Sequence, residues 1–239
     1  MADIWSTSFP DMRLLVTRPR DDAQPLKARL EQLGHDVITS PLLEIAPRRD
    51  VDIPIVPYQL VALTSANALR CLAGDPRLDR LRHVPVMAVG PQSAAAARQA
   101  GFTRITAAGG DGVGLARHII NHARPEAGPV LYLSGRDTAS DFSGHLERSG
   151  FAVTRVIVYE ARPAQALAQE VACAEGVLLY SPRSARLWLD LAGRQDIAAD
   201  VMMHFCLSPN IAAILPDGFA RRVAARPDED ALLEIIGRA

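Results

Sequence analysis

A chain of 239 residues, 49% of them hydrophobic, is long enough to form two small domains, each with its own core. A formal net charge of -1 excludes the broad basic surface that non-specific nucleic-acid binding requires, so a small-molecule partner is expected. Lys27 is the only lysine and falls in a predicted surface helix, which argues against a phosphate-loop lysine, a pyridoxal Schiff base or a lysine nucleophile.

The chain opens with MADIWSTSFPDM, which lacks a cationic start followed by an apolar core, and no later stretch approaches the length of a membrane span. The run RLLVT (Arg13 to Thr17) reads as a buried strand, and Asp21 to Leu33 as a helix closed by Gly34. Further strands are predicted at Leu60 to Thr64, Val84 to Val89, Val130 to Ser134, Val153 to Tyr159, Gly176 to Tyr180 and His204 to Ser208, most of them followed by helices. This alternation is that of parallel α/β layers. Cys71, Cys173 and Cys206 are scattered and odd in number, which suits small buried hydrophobes in a reducing, cytoplasmic compartment and not a zinc or redox motif.

The two halves repeat each other. VTRPRD at Val16 is answered by LSGRDT at Leu133, Arg18 falling on Arg136 at a shift of 118. LEQLGHDV at Leu30 is answered by LERSGFAV at Leu146, and LTSANA at Leu63 by LYSPRS at Leu179, both at a shift of 116. VGPQSAAA at Val89 meets LSPNIAAI at Leu207 at a shift of 118, and Gly101-Phe102 meets Gly218-Phe219. Five blocks in one order at nearly one offset make the chain a pseudo-duplicate of α/β units. The expected fold is therefore α/β, with two doubly wound, flavodoxin-like parallel sheets.

In such sheets ligands lie beyond the carboxyl ends of the strands. The loops that gather there are Thr17-Arg18-Pro19, Thr64-Ser65-Ala66-Asn67, Gly90-Pro91-Gln92-Ser93, Gly135-Arg136-Asp137, Ser181-Pro182-Arg183-Ser184 and Ser208-Pro209-Asn210-Ile211. Two readings fit them: helix capping by Ser, Thr and Asn with Pro in the first turn, or reception of a polyanion by helix N-termini. The arginines are equally open, either to plain solvation or to bidentate recognition of carboxylates. Gly109-Gly110-Asp111-Gly112-Val113-Gly114 fits no dinucleotide or phosphate-loop pattern and reads as a flexible lead-in to a helix at Leu115. His118 and His122 are spaced for a metal but lack a third ligand, and no GxSxG elbow is present, so neither metal chemistry nor a hydrolase is expected. Tyr159, at the end of a predicted strand beside Glu160, is either a half-buried core residue or a functional phenol.

Taken together, LLVTRP, LGHDV, SPLLEIAP, LTSANAL, AVGPQSAAAARQAGF, VLYLSGRD, VIVYEARP, LLYSPRSA and SPNIAAIL resemble the uroporphyrinogen-III synthases, in order and spacing, over nearly the whole chain. The resemblance implies two α/β domains joined by a two-stranded ladder, its strands near Val37 to Pro47 and Val153 to Pro163. One domain would comprise residues 1–40 plus 160–239 and the other 41–159, with a cleft between them. It further implies a cofactor-free, metal-free enzyme that closes hydroxymethylbilane, a linear tetrapyrrole with eight carboxylates, into uroporphyrinogen III. In that reaction the ring A hydroxyl leaves as water, ring D attacks the azafulvene through its substituted carbon, and the spiro intermediate reopens and closes with ring D inverted. Tyr159 matches the family's catalytic tyrosine. The substrate-contacting set carried over is Thr17, Arg18, Thr64, Ser65, Ala66, Ser93, Gly135, Arg136, Ser181, Pro182, Ser208, Asn210 and Ile211. Where relatives carry Gly-Pro-Thr, this chain has Ser208-Pro209-Asn210, which replaces a threonine contact by an amide and restricts the backbone at Ser208. A monomer in the cytoplasm is implied, with transient hand-over from hydroxymethylbilane synthase. The rival expectation is a non-catalytic two-domain hinge protein that binds a small polyanion, distinguished by binding without turnover.

Overall fold

The computed structural model describes residues 11–138 and 140–237; the stretch MADIWSTSFP lies outside them. In chain order the elements are β1 (Arg13–Val16), α1 (Arg20–Gln32), β2 (Asp36–Thr39), β3 (Leu43–Pro47), β4 (Leu60–Leu63) and α2 (Asn67–Arg70). There follow β5 (Val86–Ala88), α3 (Pro91–Gln99), β6 (Ile105–Ala107), α4 (Gly112–His122), β7 (Val130–Gly135) and α5 (Phe142–Arg148). The chain closes with β8 (Val153–Pro163), β9 (Gly176–Leu179), α6 (Pro182–Arg194), β10 (Met203–Cys206), α7 (Pro209–Ala212), β11 (Arg221–Val223) and α8 (Glu229–Ile236).

The apolar runs are strands because they are covered on both faces. In the first compact unit, formed by the described residues of Met1–Glu44 and Arg162–Ala239, a parallel sheet runs β11-β10-β9-β1-β2. Leu14 and Val16 of β1 face a core with Leu26 and Leu30 of α1 and Leu232 of α8, whereas Leu15 faces one with Trp188 and Leu191 of α6. Leu14 and Leu15 are fully buried, and each such leucine stabilises the fold by roughly 1.5–3 kcal/mol relative to an exposed one. In the second unit, Ile45–Ala161, the sheet runs β3-β8-β7-β4-β5-β6, and its strands from β8 to β6 are parallel. Here Val61 and Leu131 face Ala68, Leu69 and Ala97 of α2 and α3, and Leu60, Val130 and Tyr132 face Leu115 and Ile119 of α4 with Phe142 of α5.

The repeat is reproduced in the strand registers. Leu14 pairs with both Val37 and Gly176, and Val130 pairs with both Val153 and Leu60, so Leu14 answers Val130, Val37 answers Val153 and Gly176 answers Leu60, each 116 residues apart. The same argument matches His204 to Val86, 118 apart. Both sheets therefore share the doubly wound strand order 2-1-3-4-5. Each unit nevertheless takes its first βαβ segment from one half of the sequence and its remaining strands from the other. The shared LxxLG and LxxSG blocks end α1 and α5 in the same way. Gly34 (φ 96) donates to Glu31 O and His35 to Leu30 O, as Gly150 (φ 85) donates to Glu147 O and Phe151 to Leu146 O. These left-handed C-caps suit glycine, which has no Cβ to collide there.

Several expectations need correction. The strand offset of 116, continued past β1, carries Arg18 to Ser134, so its alignment with Arg136 spans a gap; β7 runs on to Gly135 where β1 stops at Val16. Val37 does not begin a ladder strand: Val37 to Thr39 pairs with β1, and only β3, from Leu43, lies against β8. That ladder is antiparallel, since Ala164 donates to Leu42 O at one end and Arg48 to Val158 O at the other. Both passages of the chain from unit to unit fall within these two strands. The glycine-rich stretch before Leu115 is not a flexible lead-in, because Asp111 caps α4 by accepting from Gly114 N at 2.8 Å and the helix already begins at Gly112.

Candidate active site

In the second unit the neighbouring strands β4, β7 and β8 bring two of the singled-out loops, Thr64 to Asn67 and Gly135 to Asp137, into one row with Tyr159. Leu63, the last residue of β4, pairs with Leu133, and Gly135, the last residue of β7, pairs with Tyr159 of β8. Tyr159 is not at the end of its strand, since β8 continues to Pro163. A bulge between Ser134 and Gly135 shifts the register by one residue and turns Tyr159 toward Gly135. Its ring lies directly on that glycine: a Cβ added there would stand 2.7 Å from Cζ. The backbone closes the contact from the other side, where Arg136 N donates to Tyr159 O at 2.9 Å. Tyr159 is 9% exposed.

Thr64 Oγ1 lies 2.9 Å from the Tyr132 hydroxyl, tying β4 to β7. Burial raises the Tyr132 phenol, offset in part by Thr64 and the Arg155 charge. Ser65 Oγ accepts from Asn67 N at 3.2 Å, and Ala66, with Asn67 behind it, is buried at the start of α2. The N-terminus of α4 lies against this loop, a Cβ on Gly112 falling 3.7 Å from Thr64 Cγ2. Arg136 is exposed and pairs with Glu160 at 3.1 Å. Ser93 lies on the buried side of α3.

The equivalent edge of the first unit joins β1 and β9. Thr17 is 3% exposed and its hydroxyl donates to Leu178 O at 2.7 Å, so it is engaged by the sheet itself. Arg18 is held by Glu229 at 3.0 Å and Asp22 at 3.6 Å and lies 5.0 Å over the Tyr180 ring, whose phenol burial pushes up. Ser181 caps α6, accepting from Ser184 N while Ser184 Oγ accepts from Ser181 N, and Pro182 occupies the first turn. Ser208 precedes α7 at φ -156 and ψ 161, an extended conformation open to any residue, so the expected backbone restriction there is absent. Asn210 is exposed, and Ile211 is a core residue at 1% exposure. The His118 and His122 rings stack at 4.1 Å, and no group of three potential metal-ligating acidic, His or Cys side chains occurs among the described residues.

The sequence matches the description uroporphyrinogen-III synthase HemD over residues 24–234. The chain belongs to the uroporphyrinogen-III synthase family. A search of curated proteins finds no match. Among solved structures the fold is similar to a uroporphyrinogen-III synthetase from Helicobacter pylori, at 17% identity and a TM-score of 0.67, covering 94% of this chain and 97% of that one. A mutant uroporphyrinogen III synthase from Thermus thermophilus aligns at 13% identity and a TM-score of 0.49, over 93% of this chain and 96% of that one.

For a uroporphyrinogen-III synthase, a cyclising lyase of porphyrin biosynthesis, the two loop edges differ in how they group the singled-out residues. Thr64, Ser65, Arg136 and Tyr159 are gathered on adjacent strands of one sheet, with Thr64 bonded to Tyr132 and Arg136 to Glu160; at the other edge Thr17 is bonded to Leu178 and Ile211 lies in the core. Reading the sequence missed Arg155 and Tyr132, which brace the first group. Both sit inside apolar strands, where only strand alternation marks them, and that signal does not separate a brace from an exposed side chain. Among the described residues no helix is long and apolar enough to cross a membrane.

Proposed function

We propose that this uroporphyrinogen-III synthase closes hydroxymethylbilane with Tyr159 as the group that assists departure of the ring A hydroxyl. The phenol donates a hydrogen bond to the leaving oxygen, the hydroxyl departs as water, and the azafulvene is attacked by the substituted carbon of ring D. Fragmentation of the spiro intermediate and reclosure deliver the inverted ring. The observation that carries the assignment is the bulged register that sets the Tyr159 ring on Gly135, in line with the Thr64 loop.

The substrate is bound by the strand-end loops: Thr64, Ser65, Ala66, Ser93, Gly135 and Arg136 in the second unit, and Thr17, Arg18, Ser181, Pro182, Ser208, Asn210 and Ile211 in the first. Main-chain N–H groups serve at Ala66 and Gly135, since Ala66 has a buried side chain and glycine has none. Free hydroxymethylbilane closes unaided to the symmetrical isomer, so positioning of ring D counts as much as acid assistance. The chain acts as a monomer in the cytoplasm and takes its unstable substrate by transient hand-over from hydroxymethylbilane synthase.

The test is to incubate the purified chain with fresh hydroxymethylbilane, oxidise the products and resolve the type I and type III porphyrins. Predominant type III is expected, and Tyr159→Phe should keep the fold and lose most turnover. Type I alone from folded protein would overturn the activity; near-normal turnover by Tyr159→Phe would overturn the role of the phenol while leaving the activity intact.

A further inference from the structure

Beyond the residues assigned so far, one cation braces the whole strand-end cluster of the second unit. Arg155 lies on β8, four residues before Tyr159. Its Nε donates to Ser134 Oγ at 2.9 Å, and its Nη2 donates to Gly135 O at 2.9 Å and to Arg136 O at 2.8 Å. The guanidinium also stands 6.0 Å from the centre of the Tyr132 ring, whose hydroxyl meets Thr64. These acceptors sit where the register between β7 and β8 shifts, and a bulge leaves backbone groups that the regular ladder does not bond. A planar fork of donors can hold several acceptors in fixed geometry, which a single ammonium cannot.

We propose that Arg155 is a positioning residue for the cyclisation. It fixes the backbone of Gly135, on which the Tyr159 ring rests, and of Arg136, whose N–H is bonded to Tyr159 O, and so holds the phenol at the departing hydroxyl. This rests on the role of Tyr159 proposed above. With the fork removed, the two carbonyls turn toward water and the platform under the ring shifts. A displacement of about 1 Å at a reacting group lowers rate by up to about a hundredfold. Because unguided closure gives the type I isomer, the same displacement lowers the share of type III product.

The experiment compares full-length Arg155→Met, Arg155→Lys, Tyr159→Phe and the Arg155→Met/Tyr159→Phe double variant by kcat, KM, isomer share and thermal midpoint. Arg155→Met is expected to lower kcat by about ten- to a hundredfold with KM within about twofold, and to raise the type I share. Arg155→Lys recovers only part of the rate, and the double variant is no slower than Tyr159→Phe alone. Unchanged kcat and isomer share in a folded Arg155→Met protein would overturn the proposal, and so would losses that multiply in the double variant. If Arg155→Met does not fold, Arg155→Lys decides by the same two readouts. Normal turnover by Tyr159→Phe would instead remove the phenol's role, and with it the route by which Arg155 acts.

Discussion

The ring of Tyr159 occupies the space where Gly135 has no side chain: a Cβ there would lie 2.7 Å from Cζ and 3.0 Å from the hydroxyl oxygen. Gly135→Ala should therefore move the ring without removing any functional atom. Overpacking of this kind costs about 1–3 kcal/mol. The expected result is a folded protein with a lowered denaturant midpoint, kcat reduced more than KM is raised, and a larger type I share. Steady-state kinetics with isomer analysis checks it, and unchanged turnover would separate the phenol's position from catalysis.

Thr17 joins β1 to β9 through a buried hydroxyl, 2.7 Å from Leu178 O. Thr17→Val keeps the shape and loses the bond, which should cost about 1 kcal/mol, while Thr17→Ser should keep most of it. Chemical denaturation of both variants measures the difference. A change in KM beyond that of Thr17→Ser would assign the side chain to substrate as well.

Ser181 is both the cap of α6 and a proposed substrate contact, and two substitutions separate these roles. Ser181→Ala should cost about 1 kcal/mol of stability and raise KM. Ser181→Asp should cap the helix as well as serine but repel a polycarboxylate, giving near-native stability with a still higher KM that falls as salt is added. A native KM in Ser181→Asp would confine Ser181 to capping.

Trp188 Nε1 donates to His204 Nε2 at 3.1 Å, and His204 Nδ1 lies 3.1 Å from Ala220 O, so the fully buried imidazole is held neutral between them. Burial lowers its pKa below the ordinary 6.5. Below pH 6.5 the unfolded chain therefore takes up a proton that the folded chain refuses, and stability falls from there down to the depressed folded value, while above pH 6.5 the contribution is constant. Thermal midpoints between pH 7.5 and 5 should decline on the acid side, and His204→Gln should flatten that slope whatever its midpoint at neutral pH.

The sequence by itself determined the layers and the duplication. Runs such as LVAL in β4 and GVLL in β9 are apolar at every position because helices cover both faces of the sheet, and that signal survives without knowledge of any partner. The offsets of 116 and 118 read from short blocks return in the strand registers because equivalent segments occupy equivalent places in each sheet. By contrast β6 and β11, three-residue strands at sheet edges that are not fully buried, carry no such run and escaped notice. Tertiary structure alone decided which candidate groups the fold already uses: the Thr17 hydroxyl on Leu178, the Ile211 side chain in the core, the Arg18 guanidinium on Glu229. It alone placed Tyr159 on Gly135 and the Arg155 fork beneath that loop. The reason is physical. Local pattern encodes whether a residue is buried, whereas its partner depends on the pairing of strands distant in sequence, where a bulge of one residue redirects a side chain that periodicity would send elsewhere.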